Sequence, residues 1–272
     1  SSQGIAANQV RGIFGCGYVA GSGAENRIDF ITFSTASNVT DFGDRSTNDG
    51  LRSAGSCSSS TRAFFAGGRG PSGNANVIDF ITISTTGNAV DFGDLSATTL
   101  GTQATSSSTR CVFAGGQPAS LFESVQFASL GNAVDFGSLA TGTNYHGCTD
   151  NSVRGITMGG SDPGNDSTKT NVVQFWNITS AGDSTDFGDL TAARYSAAAN
   201  SNAHGGLNTF HPRAPELYSP TGKVVPRGAG VGQRLLAFAG YTDAYIKTID
   251  TLTISTLGNM TNFGESNELQ QS

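Results

Sequence analysis

The chain repeats one tripeptide five times, and this repeat limits the possible folds more than any other feature. An aspartate or asparagine is followed by Phe-Gly in the copies centred on Phe42, Phe92, Phe136, Phe187 and Phe263. Successive copies are 50, 44, 51 and 76 residues apart. A period in this range is typical of repeat architectures, in which one unit cannot bury its own apolar face. The sequence therefore predicts an array of like units.

Each copy ends a longer unit that predicts short β-strands. In the second unit, Arg-Ala-Phe-Phe-Ala-Gly-Gly at 62–68 precedes Val-Ile-Asp-Phe-Ile-Thr-Ile at 77–83, and the tripeptide follows at 91–93. These segments are rich in Ile, Val, Phe and Thr and are bounded by Gly, Asn and Ser, as strands are. Both parities of the 77–83 segment carry apolar residues. We therefore expect this strand to be covered on both faces.

Four such strands in a unit of about 50 residues, repeated five times, predict an all-β fold, a five-bladed β-propeller. Immunoglobulin-like sandwiches would need units nearer ~100 residues. The expected single domain spans 1–272, with blades at about 1–47, 48–97, 98–141, 142–192 and 193–272. Residues 1–10 resemble the Ser/Ala-rich strand that opens the other units. We therefore expect the two chain ends to lie side by side and to close the circle by sheet pairing.

Composition and charge argue against several classes of function. The net charge is −6 and no Lys/Arg run occurs, so a nucleic-acid partner is not expected. No apolar run approaches the roughly 18–20 residues that cross a bilayer, so no membrane insertion is expected. The cysteines at 16, 57, 111 and 148 lack the paired short spacing of a metal site. Buried thiols are the expectation, with one disulfide as the alternative.

Two sets of charged residues recur in the units. The arginines that open the second strand of each unit are Arg11, Arg62, Arg110, Arg154 and Arg234. The acids that follow most tripeptides are Asp44, Asp94, Asp189 and Glu265. Either set could form a ring of ligand contacts. We favour a structural role in which the two sets pair through charge-assisted hydrogen bonds, while the five repeated phenylalanines act as core anchors between blades.

The sequence does not predict an enzyme. Asp-Phe-Gly holds magnesium in protein kinases, but there it occurs once, with a glycine-rich loop and a catalytic loop. The three histidines form no metal-type pair and no convincing triad. We expect no catalytic residue, no metal and no cofactor.

An insertion at 206–232 is the first candidate surface for partner binding. It accounts for the long last spacing and holds four of the seven prolines. Its candidate contacts are Arg213, Tyr218, Lys223 and Arg227. A long, proline-stiffened, locally basic loop on an acidic ring suits docking, with a neutral surface loop as the alternative.

The loops that follow each Gly-Gly pair form the second candidate surface, because they all emerge on one side of the predicted ring. Their candidate contacts include Phe122, Tyr241 and Tyr245. Exposed aromatic rings beside Asn, Asp and Ser are suited to stacking on sugars. These loops therefore indicate a surface for carbohydrate recognition.

The unit as a whole resembles a divergent kelch-type repeat, in which a hydrophobic run ends in Gly-Gly and a β-hairpin follows. The spaced Tyr and Trp of that family are missing. The phrases Asp-Phe-Gly-Asp-Leu-Thr-Ala-Ala-Arg-Tyr at 186–195 and Ser-Ser-Ser-Thr-Arg-Cys-Val-Phe-Ala-Gly-Gly at 106–116 resemble repeats in structural proteins of marine cyanophages and related tailed phages.

This resemblance implies a virion protein on the phage tail or capsid, such as part of a tail fibre. It would bind a host receptor or surface glycan, or neighbouring virion proteins. A lectin-like carbohydrate-binding propeller is the alternative.

Overall fold

The computed structural model describes residues 4–266 apart from 16, 20–22, 36–37, 48–49, 152, 163–164, 202–233, 239, 243–245 and 255–256. Five antiparallel sheets form a five-bladed β-propeller, and each contains a path of four hydrogen-bonded strands. The second sheet has a further short strand, Arg69–Gly70, and separate two-stranded ribbons lie within the first and fourth units. The predicted fold class is confirmed. We number the blades 1 to 5 in chain order.

The strands are short and each sheet keeps the same strand order. Blade 1 contains Gly4–Ala7, Arg11–Gly15, Arg27–Thr32 and Thr40–Asp44. Blade 2 contains Gly55–Ser58, Arg62–Ala66, Gly73–Thr82 and Val90–Thr99, and blade 3 contains Gln103–Ser106, Arg110–Ala114, Phe122–Gln126 and Val134–Asp135. Blade 4 contains Gly147–Asp150, Arg154–Met158, Val172–Asn177 and Thr185–Asp189, and blade 5 contains Ala198–Ser201, Arg234–Phe238, Thr248–Thr253 and Thr261–Glu265.

The repeated tripeptide forms a β-bulge in the outermost strand. In blade 1, Asp41 pairs with Asp29 and Gly43 pairs with Ile28, so Phe42 is the extra residue between them. The same register shift occurs in blades 2, 4 and 5. A bulge re-aims a side chain away from the ladder. Here it turns the phenylalanine toward the next blade.

Apolar clusters between successive blades form the core. The four clusters join blades 1 and 2, 2 and 3, 3 and 4, and 4 and 5. We call the side of a blade that meets the next blade its outgoing face, and the opposite side its incoming face. Ile78 packs on the outgoing face of blade 2 and Ile81 on its incoming face. The prediction that this strand is covered on both faces is confirmed.

Four of the five repeated phenylalanines are interblade anchors. Phe42, Phe92, Phe136 and Phe187 are buried on the outgoing faces of blades 1 to 4. The prediction is wrong for Phe263, which is 57% exposed. A repeated residue is buried only where a neighbouring blade covers it, and no described cluster joins blade 5 to blade 1.

Glycines of the tripeptide lie in close backbone contact with the hairpin of the following blade. Gly43 has a φ of +145°, and a Cβ there would lie 2.5 Å from the carbonyl oxygen of Gly87. Gly87 donates its N–H to the Phe42 carbonyl at 2.8 Å. The side-chain oxygen of Asn88 accepts from the Asp44 N–H at 3.1 Å. Equivalent contacts recur at the next three interfaces, with Asp183 in place of the asparagine in blade 4. Both the tripeptide and the glycine of the hairpin therefore serve blade packing.

Four of the five repeated arginines bind backbone carbonyls, and for these four the predicted pairing with the repeated acids is wrong. Arg11, Arg62, Arg110 and Arg154 each donate from Nη1 to a carbonyl of the next blade, that of Ile83, Phe127, Ile178 and Ile254 respectively. Each guanidinium also lies over a phenylalanine ring of its own blade. A cation–π contact and a carbonyl acceptor together satisfy the charge without a carboxylate.

Buried carboxylates use other partners. Arg45 binds Asp79 across the interface between blades 1 and 2 at 2.6 Å, and both side chains are fully buried. Arg194 binds Asp250 across the interface between blades 4 and 5, also without exposure. At the interface between blades 2 and 3, Glu123 accepts from the Ser96 hydroxyl instead. The polar link between blades thus differs in chemistry at equivalent positions.

The cysteines depart from the expectation of buried thiols. Cys57 in blade 2 and Cys111 in blade 3 form a disulfide with a Cα–Cα distance of 6.4 Å. The two residues lie on facing strands of one interblade cluster. Cys148 is a free thiol, and Cys16 lies outside the described residues. The disulfide alternative is therefore correct for one pair.

The predicted closure of the circle by sheet pairing involves chain ends of which residues 1–3 and 267–272 lie outside the described residues. Gly4–Ala7 does form the innermost strand of blade 1, paired with Arg11–Gly15. No sheet among the described residues combines strands from both ends of the chain. The predicted insertion at 206–232 lies outside the described residues.

Candidate functional site

One end of the propeller is organised by the Gly-Gly pairs. Gly67 and Gly68 have φ values of +63° and +105°, and blades 3 and 4 repeat this conformation. In blades 1 to 4 the N–H of the second residue of this turn bonds to a carbonyl a few residues before the innermost strand of the next blade, for example from Gly68 to Thr99 at 2.9 Å. The chain can turn sharply there because glycine tolerates positive φ. The loops after these pairs are therefore held at one end of the ring.

A chain of backbone hydrogen bonds links the blades at this same end. Ser53, Tyr145 and Ser196 have positive φ, and Gly101 occupies the equivalent place in blade 3. Gly101 donates to Ser53 at 3.1 Å, Tyr145 to Gly101 at 3.2 Å, and Ser196 to Tyr145 at 2.7 Å. These bonds fix the residues just before each innermost strand. Side chains from these segments therefore lie beside the loops after Gly-Gly.

Aromatic and basic side chains meet at the junction of blades 1 and 2. The guanidinium of Arg52 lies over the ring of Tyr18 at 5.1 Å. Arg52 and Arg69 pair through two backbone hydrogen bonds of 3.0 and 2.9 Å. Tyr18 and Arg69 are exposed and Arg52 is half-buried. The group offers an exposed ring beside the Arg52 guanidinium, with a second exposed arginine, Arg69, on the neighbouring backbone.

A second aromatic and basic group lies at the junction of blades 4 and 5. The rings of Tyr195 and Tyr241 approach to 5.5 Å, edge to face. Their backbones exchange hydrogen bonds of 3.2 and 3.1 Å. The ammonium of Lys169 lies 5.4 Å from the Tyr241 ring. All three side chains are half-buried, so part of each remains accessible.

His146 and Cys148, at the innermost strand of blade 4, are titratable groups whose burial makes them unsuited to surface contacts. Burial lowers the pKa of His146 to about 3, so its imidazole is neutral at physiological pH. A Cβ on Gly115 would lie 2.7 Å from this imidazole. Burial, with a contribution from Asp150, raises the pKa of the Cys148 thiol well above its usual value. A protonated thiol is a poor nucleophile.

The predicted site residues fall into three groups. Tyr241 lies at the junction of blades 4 and 5, beside Tyr195 and Lys169. Phe122 does not lie on the loop surface: it is 1% exposed and packs edge-on against Phe136 and Trp176. This corrects the prediction, because Phe122 begins the third strand of blade 3 and occupies the position of buried Ile78. Arg213, Tyr218, Lys223, Arg227 and Tyr245 lie outside the described residues.

Three residues of the site escaped the sequence analysis: Arg52, Tyr195 and Lys169. Arg52 and Tyr195 occupy equivalent places three residues before an innermost strand. In the structure each is paired by an isolated bridge with the residue that follows a Gly-Gly or Ala-Gly pair, a pairing that the sequence alone does not show. Lys169 ends the short ribbon of Ser161–Asp162 and Asn165–Lys169, whose register only the structure reveals.

Blade 5 also carries a shallow cavity of about 290 Å³ near its outer edge. Arg234, Thr251 and Thr253 contribute to its lining. In blades 1, 2 and 4 a phenylalanine at the position of Thr251 fills the space below the repeated arginine. The cavity therefore reflects a smaller side chain at a repeat position.

Two further classes of site were sought over the described part of the chain. No group of three or more His, Cys, Asp or Glu side chains there is placed to hold a metal ion. No helix there is long and apolar enough to cross a membrane.

The fold and this end surface define a five-bladed β-propeller whose Gly-Gly end presents two clusters of tyrosine and basic side chains. No protein-family model matches the chain, and no curated protein is significantly similar to it in sequence.

Proposed function

We propose that this chain is a non-enzymatic structural and adhesion protein of a tailed-phage particle, and that the Gly-Gly end of its propeller binds glycans of the host surface. The observation that carries the binding role is the pair of tyrosine and basic clusters at one end of the propeller. Aromatic rings stack on the apolar faces of sugars, while lysine and arginine bind carboxylate and phosphate groups. The favoured ligand is therefore an acidic surface glycan.

The loop sequences favour one composite surface over five equal sites. The residues that follow the Gly-Gly position are Tyr18, Arg69, Gln117, Ser161 and Tyr241. The lectin-like alternative, with one sugar site per blade, would need the same binding side chains in every blade. A composite surface instead uses different residues from neighbouring blades, as Tyr18 of blade 1 and Arg52 of blade 2 do.

Display on the outside of a particle is supported by two observations. The repeat phrases resemble those of phage structural proteins, and the Cys57–Cys111 disulfide suits an oxidising exterior. The same proposal assigns attachment to neighbouring virion proteins, with residues 206–232 as the docking segment.

Binding is tested on an array that includes acidic and neutral glycans. We expect the wild-type propeller to bind acidic glycans, and Tyr241→Ala and Arg52→Ala each to weaken binding at least about tenfold, equivalent to roughly 1.4 kcal/mol. Val134→Ser is the matched control, because Val134 is exposed on blade 3 away from both clusters. Absence of binding to every glycan, or equal loss in the control, would refute the glycan role.

The location is tested by mass spectrometry of purified phage particles that encode the chain. We expect its peptides in the particle in stoichiometric amount. Deleting residues 206–232 should leave a folded propeller that no longer enters the particle. Absence of the wild-type chain from particles would refute the virion role, and normal incorporation of the deletion variant would refute the docking segment alone.

A further inference from the structure

A third aromatic side chain lies between the two tyrosine and basic clusters. Tyr145 belongs to the chain of backbone hydrogen bonds that runs from Ser53 to Ser196 at the Gly-Gly end. Arg52 and Tyr195 directly precede the two ends of that chain. A backbone hydrogen bond brings two Cα atoms to about 5 Å, and only three such bonds separate Ser53 from Ser196. Tyr145 therefore lies on the path that connects the clusters.

The backbone of Tyr145 is strained, although the rim itself does not need a tyrosine. Its φ is +49°, a left-handed conformation that is unfavourable for a bulky residue. Ser53 and Ser196 belong to the same hydrogen-bonded chain with small side chains. Strained residues of this kind concentrate at binding and catalytic sites. The position of this ring therefore points to ligand contact and not to support of the scaffold.

The ring of Tyr145 is supported by Gly101 and by buried neighbours. A Cβ on Gly101 would lie 3.1 Å from both Cδ1 and Cε1 of the ring, so the ring packs directly against that glycine. Asn144 and His146, on either side of Tyr145, are buried, and Asn144 bonds to Ser161 through both backbone and side chain. Tyr145 itself is only half-buried. A firmly held aromatic residue thus remains partly accessible.

The loop of blade 3 leaves a gap at this part of the rim. Five residues, 117–121, separate its Gly-Gly pair from Phe122 in the third strand. The equivalent segments hold nine residues in blade 2, at 69–77, and twelve in blade 4, at 161–172. Those longer segments form β-ribbons on the two sides of blade 3. An extended ligand can therefore cross the rim between the ribbons.

Positive charge lies on both sides of Tyr145. Arg52 and Arg69 lie at the junction of blades 1 and 2, and Lys169 lies at the base of the blade 4 ribbon. Asp162, the exposed acid of that ribbon, lies at its tip. A chain of negative charges that crosses the gap would meet arginine on one side, an aromatic ring in the middle and lysine on the other side.

We propose that the two clusters and Tyr145 form one continuous site for an extended acidic polysaccharide, with one sugar of the chain stacked on the Tyr145 ring. This inference rests on the proposed glycan-binding function and specifies its ligand as a chain of charged sugars, not a terminal mono- or disaccharide. A single chain that reaches both clusters makes the second contact intramolecular, which raises affinity by about a hundredfold to ten-thousandfold. Affinity should therefore depend on chain length.

Isothermal titration calorimetry with sized fragments of polygalacturonate, alginate and hyaluronate tests this dependence. For at least one of them, long fragments should bind at least about a hundredfold more tightly than disaccharides, with one long chain per propeller. Equal affinity of short and long fragments would overturn the inference and leave the glycan-binding function standing. So would failure of all three polysaccharides while the glycan array still shows binding. Failure of both the fragments and the array would refute the glycan-binding function itself.

Tyr145→Ser tests the middle of the site, because serine stands at the equivalent rim position in blades 2 and 5. It should weaken binding of the long fragment at least about tenfold and leave disaccharide binding unchanged. Leu130→Ser is the matched control, since Leu130 is exposed on the hairpin of blade 3 at the opposite end. An equal effect of the two substitutions would overturn the proposal. Poly-glutamate that binds as tightly as the polysaccharide would also overturn it, because charge alone would then suffice.

Gly101→Ser tests whether the glycine positions the ring. The new Cβ should displace the Tyr145 ring and weaken long-fragment binding about as much as Tyr145→Ser does. Ser53 shows that serine fits this rim position, with a φ of +56°. The double variant should bind no more weakly than either single variant, because both changes remove one contact. Additive losses would overturn the role assigned to Gly101, and near-UV circular dichroism checks that each variant is folded.

Discussion

Gly43 and Gly87 lie against each other across the interface between blades 1 and 2, and a side chain has room at Gly87 but not at Gly43. A Cβ on Gly43 would meet the Gly87 backbone at 2.5 Å, whereas a Cβ on Gly87 would meet nothing within 4 Å. Both residues have positive φ, +145° and +152° respectively. This asymmetry separates the cost of backbone strain from the cost of the interblade clash.

We expect Gly43→Ala to destabilise the protein by roughly 2–4 kcal/mol, because it adds a steric clash to backbone strain. Gly87→Ala should cost only about 1–2 kcal/mol, since it carries the strain alone. Urea denaturation followed by tryptophan fluorescence measures both values. Equal losses for the two variants would show that the close approach does not contribute.

Replacing Arg45 by leucine should be costly because it leaves Asp79 buried without its partner. Removal of one member of a buried ion pair typically costs about 3–5 kcal/mol. Leucine itself fits the position, since Leu95, Leu139 and Leu190 occupy it in the next three blades. The loss therefore measures the unpaired carboxylate.

The double variant Arg45→Leu with Asp79→Gln should recover most of that loss. It copies the interface between blades 3 and 4, where Leu139 accompanies Gln174 and the Gln174 amide binds the Thr141 backbone. Stability is compared by urea denaturation at constant pH. A double variant no more stable than Arg45→Leu would contradict this account of the interface.

Reduction of the Cys57–Cys111 disulfide should lower stability by roughly 2–4 kcal/mol, because the bond closes a long loop in the unfolded chain. The sequence separation is 54 residues. Thermal unfolding with and without reductant measures the effect. Cys148→Ser should respond to reductant as the wild type does, while Cys57→Ser should be insensitive. A wild-type midpoint unchanged by reductant would argue against this cross-link.

Acid should destabilise the protein through His146. Burial lowers the pKa of the folded-state imidazole to about 3, while the unfolded state keeps the ordinary value of 6.5. Between those two values the unfolded state binds a proton and the folded state does not. The free energy of unfolding is therefore not reduced by His146 above pH about 6.5. As the pH drops from there toward about 3, it falls by roughly 1.4 kcal/mol per pH unit.

His146→Thr should remove this contribution. Threonine is native at the equivalent position of blade 3, where Thr102 donates to the Ala114 carbonyl at 3.1 Å. Urea denaturation between neutral pH and mildly acidic pH provides the comparison. Identical pH profiles for the variant and the wild type would refute the assignment to His146.

Truncation of the repeated phenylalanine should have unequal effects in different blades. Phe187→Ala removes a side chain buried between blades 4 and 5 and should cost about 3–5 kcal/mol. Phe263→Ala removes an exposed ring and should change the stability of a dilute sample by less than about 0.5 kcal/mol. Similar losses would show that blade 5 is covered in dilute solution.

The repeat pattern predicted the propeller because each unit carries the same strands, bulge and turns. Those features depend on local sequence, as the shared register around Phe42 and its equivalents shows. The pattern failed where a residue's role depends on its neighbours in space. Phe263 matches the motif but has no described blade beside it, and Phe122 looked like a loop aromatic although it fills a core position.

The polar contacts were harder to predict for the same reason. The repeated arginines find carbonyls of the following blade, and no spacing in the sequence identifies those acceptors. Arg45, Cys57 and Cys111 stand at positions where the other units carry different residue types, so a repeat cannot reveal the Arg45–Asp79 pair or the disulfide. The tyrosine clusters likewise combine residues from segments that are distant in sequence.

The backbone bonds that connect Gly101, Tyr145 and Ser196 across successive blades have an evolutionary consequence. They join main-chain atoms only, so glycine, serine and tyrosine all serve at the same place. Selection can therefore rewrite the side chains around this rim without disturbing the scaffold beneath. A lineage facing a changing target could diversify its contact chemistry here by single substitutions while retaining its architecture.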